Sequence, residues 1–428
     1  MQLHSAFLGG WVQPADVFVQ FYAEEPNAFW LDGEFASENR FSIIGAGVPL
    51  GDKQSVSDAL QKYSVESKLE LPFKWRPGLV GLVTYEGEPR FIEADRAIVF
   101  DHEKQGMYFV GHFADSSDFN FWQHGALLRL GLSGGQIARY LHGKDDLQPA
   151  VVSVLRHDSM AYVAMIKRAQ KHIEAGDVYQ VCLTNQISID TESDPLVVFI
   201  RLRETNPAPY SAFVRLGPVT LVSSSPEQFL LISSDGRIST KPIKGTRPRG
   251  DTPAEDQLIA DELRADLKER AENLMIVDLM RNDIGKVSEV GSITVPKLFD
   301  IETYATVHQL VSTVTGQLAA GQTSWSAVEA AFPGGSMTGA PKIRAMELIR
   351  DFELGPRGVY SGCVGYLCGD GSSEFAMVIR SITFDSGKAI IGVGGGITID
   401  SDPLAELEET KLKAKVLLAA LNAADPWA

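Results

Sequence analysis

The chain has 428 residues, 44% hydrophobic and 22% charged, the balance of a globular protein long enough for two or three cores. Its 39 basic and 55 acidic residues leave a formal charge of −16, which opposes nucleic acid and anionic membranes as partners. Cys182, Cys363 and Cys368 form no CxxC pair and no zinc spacing, and neither a signal peptide nor a membrane span is visible, so a cytoplasmic protein is expected.

Residues 1–145 alternate short β-like runs (FSIIGAG, GLVGLVTYE, RAIVFD, GMYFVGHF) with Gly- and Asp-rich turns, which predicts a mostly β N-terminal region. LHGKDDLQPA at 141–150 reads as a linker to a second region, 150–425. The two regions either stand apart or share one sandwich. A helix is predicted from Asp158 to about Ala175, then a strand through VYQVCLTNQISI. Its alternation puts Tyr179, Val181, Leu183, Ile187 and Ile189 on one face and Gln180, Cys182, Thr184 and Gln186 on the other. Two strands flank SPE near 225–227. Thr252-Pro-Ala-Glu255 reads as a capping box opening one long helix to about Met280. A helix near Pro341, strands in VYSGCVGYLC, EFAMVIRSITF and AIIGVG, and a helix from Asp402-Pro403 to about Leu421 complete the chain. Hairpins and long helices without regular βαβ alternation predict an α+β fold.

Within PIKGTRPRG at 242–250, Lys244 sits in a Gly/Pro/Arg loop. Arg247 and Arg249 beside it, together with desolvation, would disfavour its ammonium and make a nucleophilic amine. Glu269 and Glu272 lie at i, i+3 on one predicted helix; Glu406 and Glu409 repeat the spacing on the last helix, with Lys413 on the same face as Glu406. An acidic pair is ordinarily a solvated helix face, but two such helices facing each other would offer hard oxygen ligands of the kind Mg²⁺ takes. Gly394, Gly395 and Gly396 follow a strand, where backbone without side chains can approach a ligand. Arg380 in the apolar run AMVIRSITF requires an anionic partner, naturally a bidentate carboxylate. His308 in TYATVHQL is, by default, a hydrogen-bonded core histidine.

In this order, SPEQF, PIKGTRPRG, ERAENLMIVDLMRNDIGKV, TYATVHQL, FPGGSMTGAPKIRAMELI, YSGCVGYL, FAMVIRS, GVGGGITIDSDP and the EET–KAK helix resemble the chorismate-utilising enzymes. That family includes anthranilate, aminodeoxychorismate, isochorismate and salicylate synthases. The resemblance implies antiparallel sheets packed as a β-sandwich with flanking helices. It also implies a chorismate site with one Mg²⁺, ligated by Glu272 and Glu409 with Glu269 and Glu406 beside them. Arg380 and Tyr360 would grip the enolpyruvyl carboxylate, with backbone N–H groups from Gly394 and Gly396. His308 and Ser336 match positions near the ring, Thr246 is taken as a further substrate-binding residue, and Lys413 matches a lysine near the metal and Glu227 the general acid/base.

Two positions separate the branches. Gln180 stands where isochorismate and salicylate synthases carry a water-activating lysine. PIKGT, with Lys244 where anthranilate synthases typically carry alanine, is similar to component I of aminodeoxychorismate synthase. That branch implies attack of Lys244 on C2 of chorismate, then ammonia at C4 from a separate glutamine amidotransferase, serving p-aminobenzoate and folate synthesis. WLDG at 30–33 replaces the LLES feedback motif, which argues against tryptophan feedback and leaves a structural tryptophan in the N-terminal region possible. Anthranilate synthase component I, an isochorismate or salicylate synthase, and a non-catalytic chorismate- or tryptophan-binding subunit are the alternatives. Pyruvate release, Gln180, and retention of Lys244 with all four glutamates discriminate them in turn.

Overall fold

The computed structural model describes all residues except 36–39, 52–54, 65–68, 143, 145–151 and 305–306, so most of the expected linker at 141–150 lies outside the described residues. The fold is α+β. Among the described residues, two antiparallel sheets of twelve and ten strands form the frame. Early and late parts of the chain meet in both: Asn27–Asp32 pairs with Tyr210–Leu216 in the larger, and Gly78–Val83 with Cys363–Cys368 in the smaller.

Gly78–Val83 (GLVGLV) is buried along its whole length because both of its faces are covered. Val80 and Leu82 face the larger sheet, meeting Ile43, Val99 and Val214 in the sandwich core, whereas Leu79 and Val83 face outward into a second cluster. The period of two in strand side chains produces this split. Helices complete the outer layers. Pro14–Tyr22, Pro195–Thr205 and Pro403–Ala420 supply Val17, Phe18, Phe199 and Leu417 to the core outside the larger sheet. Leu267–Gly285 and Ser324–Ala331 supply Ile276, Met280 and Val328 outside the smaller one.

The chain crosses between the sheets at two short links that matter below. Glu227 lies between Val219–Ser225 of the larger sheet and Gln228–Ile232 of the smaller. Arg380 lies between Ser373–Met377 of the smaller and Ser381–Asp385 of the larger. The links are adjacent, since the Met377 N–H donates to the Glu227 carbonyl at 3.0 Å.

Several expected elements differ in detail. The single helix from Thr252 to Met280 is two helices, Pro253–Ala265 and Leu267–Gly285. Asp266, with ψ 114°, leaves the helical region, and its carboxylate accepts from the N–H groups of Lys268 and Glu269 at 3.0 and 3.1 Å. It therefore caps a new helix instead of continuing the old one. The break sets Glu269 and Glu272 within the first two turns of that helix, where the positive end of the macrodipole favours carboxylates. Tyr179 precedes the strand Gln180–Asp190 and is 72% exposed, so it does not join Val181 and Leu183 in the core. Arg380 is not in a strand but at the sheet-to-sheet turn.

Removing the cap in Asp266→Ala is expected to lower stability by about 1 kcal/mol. Thermal or denaturant unfolding checks this; an unchanged midpoint would mean that the break is held by tertiary packing alone.

Candidate active site

The candidate residues gather where an edge strand of the smaller sheet, Ile243–Pro248, meets the strands Gln180–Asp190 and Lys388–Ile397 of the larger. A bulge at Gly245, with φ +76°, interrupts pairing with Val307–Gln317 between Lys244 and Thr246. A Cβ on Gly245 would lie 2.8 Å from Leu263 Cδ1 and 3.0 Å from the Glu269 carboxyl carbon, so glycine is required by both conformation and space. Lys244 thereby reaches across to the larger sheet. A Cβ on Gly396 would fall 2.1 Å from Gln180 Nε2 and 3.0 Å from Lys244 Nζ, so the bare backbone there makes room for both side chains. Gln180 is 1% exposed, and its Oε1 has no hydrogen-bond partner. Thr246, two residues on, is exposed.

Lys244 Nζ donates to Glu272 Oε2 at 3.2 Å. Burial works against its charge, but Glu272, Cys182 and Glu227 more than offset this and hold its pKa above the ordinary lysine value. The expected lowering by neighbouring arginines fails because their charge is spent elsewhere. Arg247 pairs with Asp266 at 3.1 Å and Glu269 at 3.3 Å, and Arg249 grips Asp256 with two bonds of 2.7 and 2.6 Å.

The two acidic pairs face each other from Leu267–Gly285 and Pro403–Ala420. Lys268 bridges them, with Nζ 3.9 Å from Glu272 Oε1 and 4.0 Å from Glu406 Oε1. Glu406 also accepts from Ser401 Oγ at 2.7 Å, while Lys413 pairs with the exposed Glu409 at 2.7 Å and donates to the Gly394 carbonyl at 2.8 Å. Burial and the neighbouring Glu272 raise the pKa of Glu269; burial and Glu409 raise that of Glu406. Such crowding is what a cation relieves, and the donor set is all hard oxygen, so the residues present fit Mg²⁺. The four carboxylates are not drawn to coordination distance of one another. Among the described residues, the tight cluster of metal-ligating side-chain types is instead Asp32, Glu34 and His102 in the N-terminal region, and there Arg203 supplies positive charge at 2.5 Å from Asp32.

Glu227 is 7% exposed, and burial pushes its pKa up to about 7 despite a hydrogen bond from Ser336 and the nearby Lys244 charge. It suits proton donation near neutral pH. Arg380 takes a left-handed conformation, φ +52°, beside Tyr360. Among the described residues its guanidinium forms no ion pair with a protein carboxylate, and burial lowers its pKa while Tyr360 and Glu409 act oppositely. A half-buried, unpaired cation in a strained backbone is a ready receptor for an anionic group. Tyr360 is held against Gly392, where a Cβ would lie 2.1 Å from its ring.

His308 is 2% exposed with both ring nitrogens engaged, Nδ1 with Thr303 Oγ1 at 2.9 Å and Nε2 with Asp256 Oδ1 at 2.7 Å. This is the core-histidine arrangement, and it ties the arginine-bearing loop to the sheet. Sequence reasoning missed Asp256 and Lys268. The i, i+4 spacing of Lys268 and Glu272 was a usable signal; nothing local announced Asp256, which finds His308 across 52 positions.

Residues 47–419 match the family model described as chorismate binding enzyme, and the chain belongs to that family. It is 44% identical over 374 residues to aminodeoxychorismate synthase of Streptomyces griseus, covering 83% of this chain and 52% of that protein. It is 40% identical over 456 residues to the protein of the same name from Streptomyces pristinaespiralis, covering 95% and 63%. The chain thus spans a little over half the length of these relatives. The crystal structure of anthranilate synthase component I from Streptococcus pneumoniae TIGR4 superposes with a TM-score of 0.72 at 28% identity, covering 97% of this chain and 92% of that one.

Glu227 also predicts a pH signature. Its folded pKa of about 7 lies above the ordinary 4.5, so its ionisation costs stability as pH rises through that window. Glu227→Gln should gain stability relative to the parent between pH about 4.5 and about 7 and keep that gain above it. Thermal unfolding of both proteins across this range checks it; parallel curves would contradict the buried, proton-retaining carboxyl.

Proposed function

We propose that the chain aminates chorismate at C4, giving 4-amino-4-deoxychorismate and water. The observation that carries this reading is the placement of the Lys244 amine beside Gln180 and Gly396, within 3.2 Å of Glu272. An amine there can serve as nucleophile, and glutamine at position 180 cannot take a proton from water as a lysine would.

Glu272 and Glu409 would hold a Mg²⁺, with Glu269 and Glu406 behind them, and the ion would supply Lewis acidity and a carboxylate anchor. Arg380 and Tyr360 receive the enolpyruvyl carboxylate, and backbone N–H groups of Gly394 and Gly396 assist. Lys244 must first lose its proton. The free amine then forms a bond to C2, the ring double bond shifts, and the C4–O bond breaks as Glu227 donates a proton to the departing oxygen. Ammonia adds at C4, the double bond returns, and the C2–N bond breaks to release Lys244. Two allylic shifts replace one difficult direct substitution.

The ammonia is assigned to a separate glutamine amidotransferase. Cys182, Cys363 and Cys368 are all buried, and burial raises the pKa of each, which makes them poor candidates for a glutaminase nucleophile. The relatives' shared name, aminodeoxychorismate synthase, supports the same reaction. Amination followed by loss of pyruvate, the anthranilate synthase reaction, is the second reading, favoured by the fold likeness.

The test is incubation of the purified chain with chorismate, Mg²⁺ and ammonium, with products identified by mass spectrometry. Aminodeoxychorismate without pyruvate is expected; anthranilate with pyruvate would establish the second reading instead. Lys244→Ala should lose most of its turnover while still binding chorismate, and full turnover would remove the covalent role.

A further inference from the structure

Glu353 ends the helix Lys342–Glu353, where the macrodipole disfavours a carboxylate, yet it is 1% exposed. Arg357, 5% exposed, compensates it with two bonds, Nε to Oε2 at 2.8 Å and Nη2 to Oε1 at 2.7 Å. The remaining donors of the guanidinium reach three other segments. Nη2 donates to the Cys182 carbonyl at 2.8 Å, and Nη1 to the Met337 carbonyl at 2.7 Å and Ser361 Oγ at 3.3 Å. Glu353 Oε1 in turn accepts from the Thr184 N–H and hydroxyl at 2.8 and 2.9 Å. The Tyr85 ring covers the guanidinium, 4.4 Å from its carbon.

Each anchored atom is a near neighbour of a candidate site residue. Cys182 and Thr184 share the strand of Gln180, Met337 follows Ser336, and Ser361 follows Tyr360. We propose that Arg357, held by Glu353, is a positioning residue: it fixes the strand of Gln180, the loop of Ser336 and the turn of Tyr360 in one mutual register. A buried ion pair bound for stability alone could be exchanged for apolar side chains. Here the guanidinium's planar fork is spent on backbone carbonyls of separate segments, and a lysine, with a compact ammonium, cannot span them.

The kinetic part rests on the proposed chorismate reaction; the structural part does not. Arg357→Lys is expected to lower kcat for chorismate consumption by about 10²-fold, the cost of misplacing reacting groups by roughly 1 Å, with chorismate KM far less affected. Hydrogen exchange at 334–340 and 180–184 should quicken in the same variant. In Glu353→Met/Arg357→Met, thermal stability should recover relative to either single change while kcat stays low. Recovery of kcat together with stability, or wild-type exchange and kcat in Arg357→Lys, would overturn the proposal. If the double variant does not fold, Arg357→Lys decides. If the parent consumes no chorismate, the functional reading fails and the exchange rates alone decide the positioning role.

Discussion

Glu272 faces two ammonium groups, Lys244 at 3.2 Å and Lys268 at 3.9 Å, and the rest of the site is arranged around this balance of charge. Four glutamates project from the opening turns of two helices, where peptide dipoles favour negative charge. Lysines from the same helices and from the opposing sheet edge stand among them. Burial and like-charge neighbours displace Glu269 and Glu406 toward their protonated forms, against the charge of Arg247 at the first and of Lys268 and Lys413 at the second. An acidic protein thus concentrates positive charge at one place.

Geometry comes from the sandwich. Its two sheets share strands from early and late in the chain, so the links between sheets are short and held at both ends. Glu227 and Arg380 occupy two of these links, joined by a backbone bond of 3.0 Å between Met377 and Glu227. A carboxyl at such a link is buried by both layers, which is why its proton is retained to about pH 7. An arginine there accepts a left-handed backbone, at a cost of about 1–3 kcal/mol, and among the described residues it forms no ion pair, although Glu409 is near enough to favour its charge. Glycines serve the same end: Gly245 turns Lys244 across the gap, and Gly396 leaves space for it.

The sequence made the fold class, the helix caps at Asp158 and Asp402 and the two acidic pairs legible, because each is written in local spacing. Lys244 was found for its place in a Gly/Pro/Arg loop, but the sign of its pKa shift was misread. Proximity in sequence put Arg247 and Arg249 beside it, whereas in space they answer Asp266, Glu269 and Asp256. The long helix was misread at Asp266 because a residue that ends one helix and caps the next leaves the apolar period nearly undisturbed. Arg380 looked like a strand residue in need of a carboxylate; it lies instead at the turn between the sheets, and among the described residues no protein carboxylate pairs with it. The Glu353–Arg357 pair is itself written as an i, i+4 spacing, but its reach to Cys182 and Met337 joins segments up to 175 positions apart and has no local signature.

Titration of the protein with Mn²⁺, with free ion followed by electron paramagnetic resonance, would show whether the facing glutamates hold a divalent cation as proposed. One bound ion per chain is expected, displaced by Mg²⁺ and lost in Glu272→Gln. No binding by the parent protein, or equal binding by the variant, would contradict it.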